Sequence, residues 1–539
     1  MSRFRFFLLI AGVIAAYGAL TLNLYQLQIE NNELYASRAE AQSRFARFLV
    51  SRRGNIYLTD RGKAVPVAIN KAQPLIFAVP QEIEDVDKAV ENLGPILNLE
   101  PEELRRVLTS QSTYKPLTRQ PTAGQITKVK ELGLPGVFVE NQDKRFYPFD
   151  NLSAHVLGFV APGDDDLIIG RYGLEKYYDD LLNKKDLTLT LDRPIQAEAE
   201  RLLKELVTKH QAKGGTIIVQ EPKTGKILAL ANQPDFNLNH YGQTKIEYFT
   251  NPTIQAVYEP GSTFKIITMA AGIDSGKLTP ETTFYDTGQI TFKDGKVIKN
   301  WDKKANGLVT MTNVIERSIN TGAAWAEKQL GHKNFYQYLK KFGFDQPTNI
   351  TLPGELAGNI KNLEKVRAEI DFAAASFGQG VAITPLQLVS AFSAIANRGM
   401  LMRPYLVSGD VSEEIRQVIS PETAQKVTRM MTSAVRKATL AQVPQYTVAG
   451  KTGTAQIPDL KKGGYTDEVI NSFVGFAPAS NPSFTALIKI DRPLGAPLSG
   501  QTVVPAFRQL AQFILNYYNI PPDDLAPEKI APEAGSLNY

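Results

Sequence analysis

A serine and a lysine three positions apart, Ser262 and Lys265 in Ser262-Thr263-Phe264-Lys265, place a hydroxyl within reach of an amine. Two further runs supply groups of the same kind. Ser318-Ile319-Asn320 adds a second hydroxyl and an amide, and Lys451-Thr452-Gly453 a second amine beside a hydroxyl, with Thr454 next. Pro260-Gly261 precedes Ser262 and an apolar run follows it, a pattern that predicts Ser262 at a helix N-terminus. Lys265 then lies one turn on, along the same face. The positive end of a helix and burial both disfavour a charged lysine there. A neutral amine can take the serine proton, which makes the hydroxyl a nucleophile without histidine. The plainer alternative is a capping serine followed by a solvated lysine, and an isolated S-x-x-K favours it.

Context separates these runs from look-alikes. Ser112-Thr113-Tyr114-Lys115 is followed at once by Pro116 and opens no apolar helix. Lys223-Thr224-Gly225 falls in a turn between two strand-like runs, where it needs no functional explanation. Ser536-Leu537-Asn538 lies in the tail. Lys451 instead sits inside a strand-like run with Gly450 and Gly453 on either side. Glycine weakens a strand unless another backbone or a ligand must come close. Alternation puts Lys451 and Gly453 on one face and Thr452 and Thr454 on the other. Whether local twist brings them to one cleft stays open at this level.

Composition narrows the chemistry. The 539 residues contain no cysteine, which excludes disulfides, thiolate nucleophiles and cysteine-bound metals. Four histidines, His155, His210, His240 and His332, are too far apart in sequence to suggest a histidine metal site, and no cofactor motif appears. The net charge of +5 is too small to argue for nucleic acid.

The elements that must hold these residues follow from pattern. After Arg3 and Arg5, residues 6–24 are almost wholly apolar, enough for a helix to cross a bilayer. The run is longer than the apolar core of a cleaved signal peptide. It reads as an uncleaved anchor with its arginines on the cytoplasmic side and the remaining chain outside. Residues 31 to about 60 look helical up to a break at Arg52-Arg53-Gly54, where an alternating segment with a turn at Asp60-Arg61-Gly62 begins. Charged helical patterns fill 80–135, and a second short strand follows. From about 186 a strand runs into a helix, then come two strands, a helical stretch over roughly 260–440, three strands and a closing helix. The fold class expected is α+β, an antiparallel sheet flanked by helices with an all-helical insertion. The Pro- and acid-rich end reads as disordered.

Taken together, Ser262, Lys265, Ser318, Asn320, Lys451, Thr452 and Gly453 resemble the active-site set of penicillin-binding proteins and serine β-lactamases. Similarity to class B penicillin-binding proteins extends over nearly the whole chain. It includes Tyr258-Glu259-Pro260-Gly261 before the serine and Phe377-Gly378-Gln379-Gly380 later. Toward the amino terminus it includes Arg53-Gly54-Asn55-Ile56, Arg145-Phe146-Tyr147-Pro148 and Gly173-Leu174-Glu175, which look like that class's non-catalytic pedestal. The resemblance implies a cytoplasmic stub over 1–5, an anchor over 6–24, a pedestal (dimerisation-like) domain over 25–185, a transpeptidase domain over 186–520 and a disordered tail over 521–539.

By the same resemblance, Ser262 would be acylated by a D-Ala-D-Ala stem peptide of peptidoglycan, or by a β-lactam, with Lys265 as its base. Ser318 and Lys451 would relay the proton to the leaving amine, and Asn320 would hold Lys265 and the substrate amide. Thr452 and Thr454 would bind the terminal carboxylate, and the N–H groups of Ser262 and Thr454 would form the oxyanion hole. The implied partners are a membrane-embedded glycosyltransferase and other division proteins, because the Tyr258-Glu259-Pro260-Gly261 run looks more like the division type than the elongation type. Ile319 stands where β-lactamases carry Asp. A β-lactamase would also need a second base, for which Glu355, four residues before Asn359, offers a chance match. A hydrolytic carboxypeptidase shares all three motifs, and a non-catalytic cell-wall scaffold would not need them together.

Overall fold

The computed structural model describes residues 3–30, 53–112, 114–163, 168–365, 368–438, 441–459, 461–495 and 498–524. Helix α1 (Arg3–Tyr25) contains the expected anchor. Among the described residues, the span Phe6–Glu30 is the one helix long and apolar enough to cross a membrane. Most of the helix expected after residue 31 lies outside the described residues, and so does the tail from 525 onward.

The chain forms two compact units. One takes residues 1–54 and 69–146, the other 55–68 and 147–539. The reason is pairing and burial. Strand β1 (Ile56–Asp60) folds back on the start of β2 (Lys63–Ala78). It also runs parallel to a later strand, with Ile56 opposite Leu187. Ile56, Leu58, Val67, Val156, Leu157, Leu174 and Leu182 are all buried in the second unit's core.

In the first unit the far half of β2 continues in a small antiparallel sheet. Helices α2 (Val86–Leu97) and α3 (Pro101–Leu108), strand β3 (Lys115–Thr118), helix α4 (Ala123–Leu132) and strand β4 (Val137–Phe146) complete it. Pairing of β2 with β4 runs from Ile69–Phe146 to Ala78–Val137. Asp85 caps α2, and a Thr122–Gln125 capping box starts α4. Ile76, Leu93, Leu104, Leu108 and Val129 form the shared core.

The second unit opens with β5 (Leu187–Asp192) and helix α5 (Arg193–Lys209). Strands β6 (Gly214–Gln220), β7 (Ile227–Gln233), β8 (Ala449–Pro458), β9 (Tyr465–Ala477) and β10 (Phe484–Asp491) make one antiparallel sheet in the order β8-β9-β10-β6-β7. Helices α6 (Lys265–Asp274), α7 (Asn320–Leu330), α8 (Pro385–Ala396) and α9 (Val503–Tyr517) surround it. Successive side chains of a strand point to opposite faces. Ile217, Val219 and Ile488 therefore pack on Leu203 of α5 and Phe507 of α9, while Ile218 and Leu487 belong to the opposite core with α6 and α8.

The long span between β7 and β8 is mainly helical but not all helical. It holds three small strand pairs: Thr283–Asp286 with Gly307–Thr310, Gln289–Thr291 with Val297–Lys299, and Met400–Met402 with Glu414–Gln417. Strands of three or four residues are too short for alternation to declare them. Asp523 accepts from the backbone and hydroxyl of Thr447, which holds residues 521–524 in place beside β8.

Candidate active site

A tight helical turn, Gly261–Phe264, leads directly into α6 and presents Ser262 at its start. Three glycines let this turn approach its neighbours. Gly261 has φ +58° and donates to Gly378 O at 3.1 Å. A Cβ on Gly378 would lie 2.3 Å from Gly261 O. A Cβ on Gly453 of β8 would lie 3.0 Å from Pro260 O and 2.9 Å from Thr263 Cγ2. The glycine of Lys451-Thr452-Gly453 is thus a contact surface for the serine turn, which is the close approach its place in a strand predicts.

Lys265 is fully buried. Its Nζ lies 2.6 Å from Ser318 O, 3.1 Å from Ser318 Oγ and 3.1 Å from Ser262 Oγ. Burial, and after it the nearby Lys451 amine, push its pKa well below that of a free lysine. A neutral amine has two protons and one lone pair. The carbonyl can only accept, so one N–H goes to Ser318 O, and the remaining N–H and the lone pair are shared between the hydroxyls of Ser318 and Ser262, either of which can donate or accept.

Lys451 Nζ lies 3.1 Å from Ser318 Oγ, 3.0 Å from Thr452 O and 3.3 Å from Thr452 Oγ1. Burial pushes its pKa down to about 7. Ser318 Oγ is thus within hydrogen-bond distance of both amines. The backbone of Ser318 is left-handed, φ +56°, a conformation that is uncommon outside glycine and clusters at functional sites.

Asn320, at the start of α7, donates from Nδ2 to Lys299 O at 3.0 Å. Among the described hydrogen bonds it is not a partner of Lys265, which differs from what the motif implied. The next residue explains the placement. Thr321 Oγ1 donates to buried Asp286 at 2.6 Å, and Asp286 also accepts from Asn300, Asn306 and Gly288. Burial alone would raise that carboxyl's pKa, but these hydrogen bonds outweigh it and hold it below the ordinary value. The buried carboxylate fixes the first turn of α7 and the 286–306 segment together.

Comparison with known proteins agrees with the geometry. Residues 215–512 match the penicillin-binding protein transpeptidase domain, and residues 49–218 match the penicillin-binding protein dimerisation domain. The chain belongs to the class B penicillin-binding proteins. Stage V sporulation protein D of Bacillus subtilis is 34% identical over 81% of this chain and 74% of that one. The probable peptidoglycan D,D-transpeptidase PbpC of Pseudomonas aeruginosa is 30% identical over 97% and 96%. A crystal structure of penicillin-binding protein 3 from Mycobacterium tuberculosis, complexed with aztreonam, has TM-score 0.69 at 26% identity and covers 88% of this chain and 98% of that one.

In this penicillin-binding protein the look-alike motifs stand apart from the cleft. Ser112 Oγ donates to Tyr114 O, and Lys223 Nζ donates to Asn481. Glu355 is occupied by the N–H groups of Thr348 and Asn349 and by the Thr348 hydroxyl, so it stabilises its own loop. Ser536-Leu537-Asn538 lies outside the described residues.

Sequence reasoning missed Glu259 as a site residue, although the run that contains it was noticed. Its two oxygens accept from Gly380 N–H at 2.9 Å and from the Tyr465 hydroxyl at 3.0 Å. It ties the serine turn to the Phe377-Gly378-Gln379-Gly380 turn and to the start of β9. Burial raises its pKa. Ser499, against Gly453 and Thr454, and Asp286 were also missed. Each is a lone polar residue outside any short motif, Ser499 with partners 45 residues away and Asp286 with partners spread from 288 to 321.

Proposed function

We propose that this chain cross-links peptidoglycan stem peptides as a D,D-transpeptidase acting through a Ser262 acyl-enzyme, and that β-lactams acylate the same serine. The observation that carries the reading is the buried Lys265 amine, 3.1 Å from the Ser262 hydroxyl and shared with Ser318. The named transpeptidase relatives and the aztreonam complex of the mycobacterial protein support it.

Ser262 Oγ attacks the carbonyl of the penultimate D-Ala while Lys265 takes its proton. Charge develops on the carbonyl oxygen, and the N–H groups of Ser262 and Thr454 receive it. Thr452 and Thr454 hold the terminal carboxylate, and Gly453 lets β8 lie close enough to the serine turn for both to act. Collapse of the intermediate breaks the peptide C–N bond. Ser318 delivers its proton to the departing D-Ala amine and is resupplied through Lys265 and Lys451. Asn320 holds the 299 segment beside the cleft. An amine from a second stem peptide then attacks the ester, and Ser262 Oγ leaves with the proton restored.

The apolar α1 anchors the catalytic unit outside the cytoplasm, with Arg3 and Arg5 inside. The work belongs to septal synthesis, beside a membrane-embedded glycosyltransferase. Localisation to the septum rather than the side wall tests that part.

The chemistry is tested by fluorescent penicillin. Wild type should carry one stable label, and Ser262→Ala should carry none while melting at the same temperature. An adduct mapped to any other residue overturns the assignment, and rapid turnover of the label would indicate a β-lactamase instead.

A further inference from the structure

We propose that Ser499 and Thr454 form a two-hydroxyl relay that reverses when a substrate carboxylate docks, which makes Ser499 a positioning residue for that carboxylate. The inference rests on the transpeptidase reading above. Ser499 lies just before α9 and is 2% exposed. Its carbonyl accepts from the N–H groups of Thr502 and Val504, so the start of the helix fixes its backbone. Its Oγ bonds to Gly453 O and lies 2.9 Å from Thr454 Oγ1, while its N–H donates to Thr454 Oγ1 at 3.4 Å.

Proton counting decides the resting state. Gly453 O is a carbonyl and can only accept, so the single hydroxyl proton of Ser499 is committed there. Thr454 must therefore donate its own proton to Ser499 Oγ, and it has none for an incoming anion. A carboxylate at Thr454 changes the balance, because hydrogen bonds to a charged acceptor are roughly twice as strong as neutral ones. Both hydroxyl hydrogens then rotate: Thr454 donates to the carboxylate and Ser499 donates to Thr454. No heavy atom has to move. Gly453 O is not left bare, since the Ser472 hydroxyl also donates to it at 3.5 Å. A chain of hydrogen bonds pointing one way polarises each member, so Ser499 strengthens the bond that Thr454 makes to the anion.

Ser472 and Ser499 approach the same carbonyl from different elements, β9 and the turn before α9. That is what allows one to let go. The exposed hydroxyl of Thr454 meets the substrate, and the buried one of Ser499 sets its direction.

The test uses the detergent-purified full chain and two D-alanyl thioesters, one ending in a carboxylate and the other in a primary amide. Ser499→Ala should raise KM for the carboxylate ester about five- to tenfold with kcat nearly unchanged, and leave kcat/KM for the amide ester unchanged. Ser499→Thr, which keeps the hydroxyl, should restore KM. Adding Ser499→Ala to Thr454→Val should cost nothing more than Thr454→Val alone. Equal losses on both esters, or additive losses in the double variant, would show that Ser499 only supports the fold and overturn the relay. If the wild-type chain turned over neither ester, the transpeptidase reading itself would fall, and the relay with it.

Discussion

Ser318 holds a left-handed backbone while its carbonyl and its hydroxyl both bond to the Lys265 amine. For a residue with a Cβ that conformation costs ~1–2 kcal/mol, and glycine escapes the cost. Ser318→Gly should therefore be more stable than Ser318→Ala by about 1 kcal/mol in denaturant melts. Both should acylate far more slowly than wild type, because the proton for the leaving amine is gone. Equal stability of the two variants would mean that the strain is not real. The sequence displayed Ser262, Lys265 and Lys451 because each belongs to a short run of fixed residue types, although Ser318, which joins the two amines, is 53 residues from one and 133 from the other. It hid Ser499 and Glu259 because their partners are distant in the chain, and Asp286 because its partners are scattered over several loops with no repeating spacing. No local pattern shows that Glu259 will meet Tyr465.

At the scale of elements, the site depends on how closely the serine turn, the Phe377-Gly378-Gln379-Gly380 turn and the edge strand β8 pack. Glycine removes the side chains between them, and Glu259 supplies the polar tie. Glu259→Met keeps the length of the side chain but removes both acceptors, so Gly380 N–H and the Tyr465 hydroxyl lose this tie. Both hydrogen bonds are solvent-exposed, so their loss costs only about 0.5–1.5 kcal/mol each. Amide exchange at Gly380 and at the tip between β8 and β9 should quicken, with acylation slowed several-fold. Unchanged exchange at both places would remove Glu259 from its tying role. The long strands and the closing helix around these turns were legible from pattern, as with β6 to β10 and α9. The strand pairs at 283–310 were not, because strands of three or four residues are too short to show alternation, whether the partner follows at once or across an intervening hairpin.

Across the whole molecule, three motifs scattered over nearly 200 residues converge because the sheet places β8 beside the serine turn and α7 closes the third side. Order in sequence foretold the sheet and its flanking helices. Strand β1 pairs both with the start of β2 and with β5, and so residues 55–68 join the catalytic unit. A parallel pairing between segments 130 residues apart leaves no mark in local pattern. The buried amines of Lys265 and Lys451 belong to that unit, with pKa values pushed down by burial, to about 7 for Lys451. Both bind fewer protons folded than unfolded between about pH 7 and the free-lysine value of ~10.4, so their contribution to stability rises with pH across that window. That Lys265 is the neutral base of Ser262 is tested most directly by penicillin acylation rates of wild type, Lys265→Arg and Lys451→Arg at one pH, with folding checked by melting. Arginine stays charged near neutrality and gives up no proton there. Acylation should collapse in Lys265→Arg and fall much less in Lys451→Arg, whereas equal losses, or normal acylation by Lys265→Arg, would contradict the assignment.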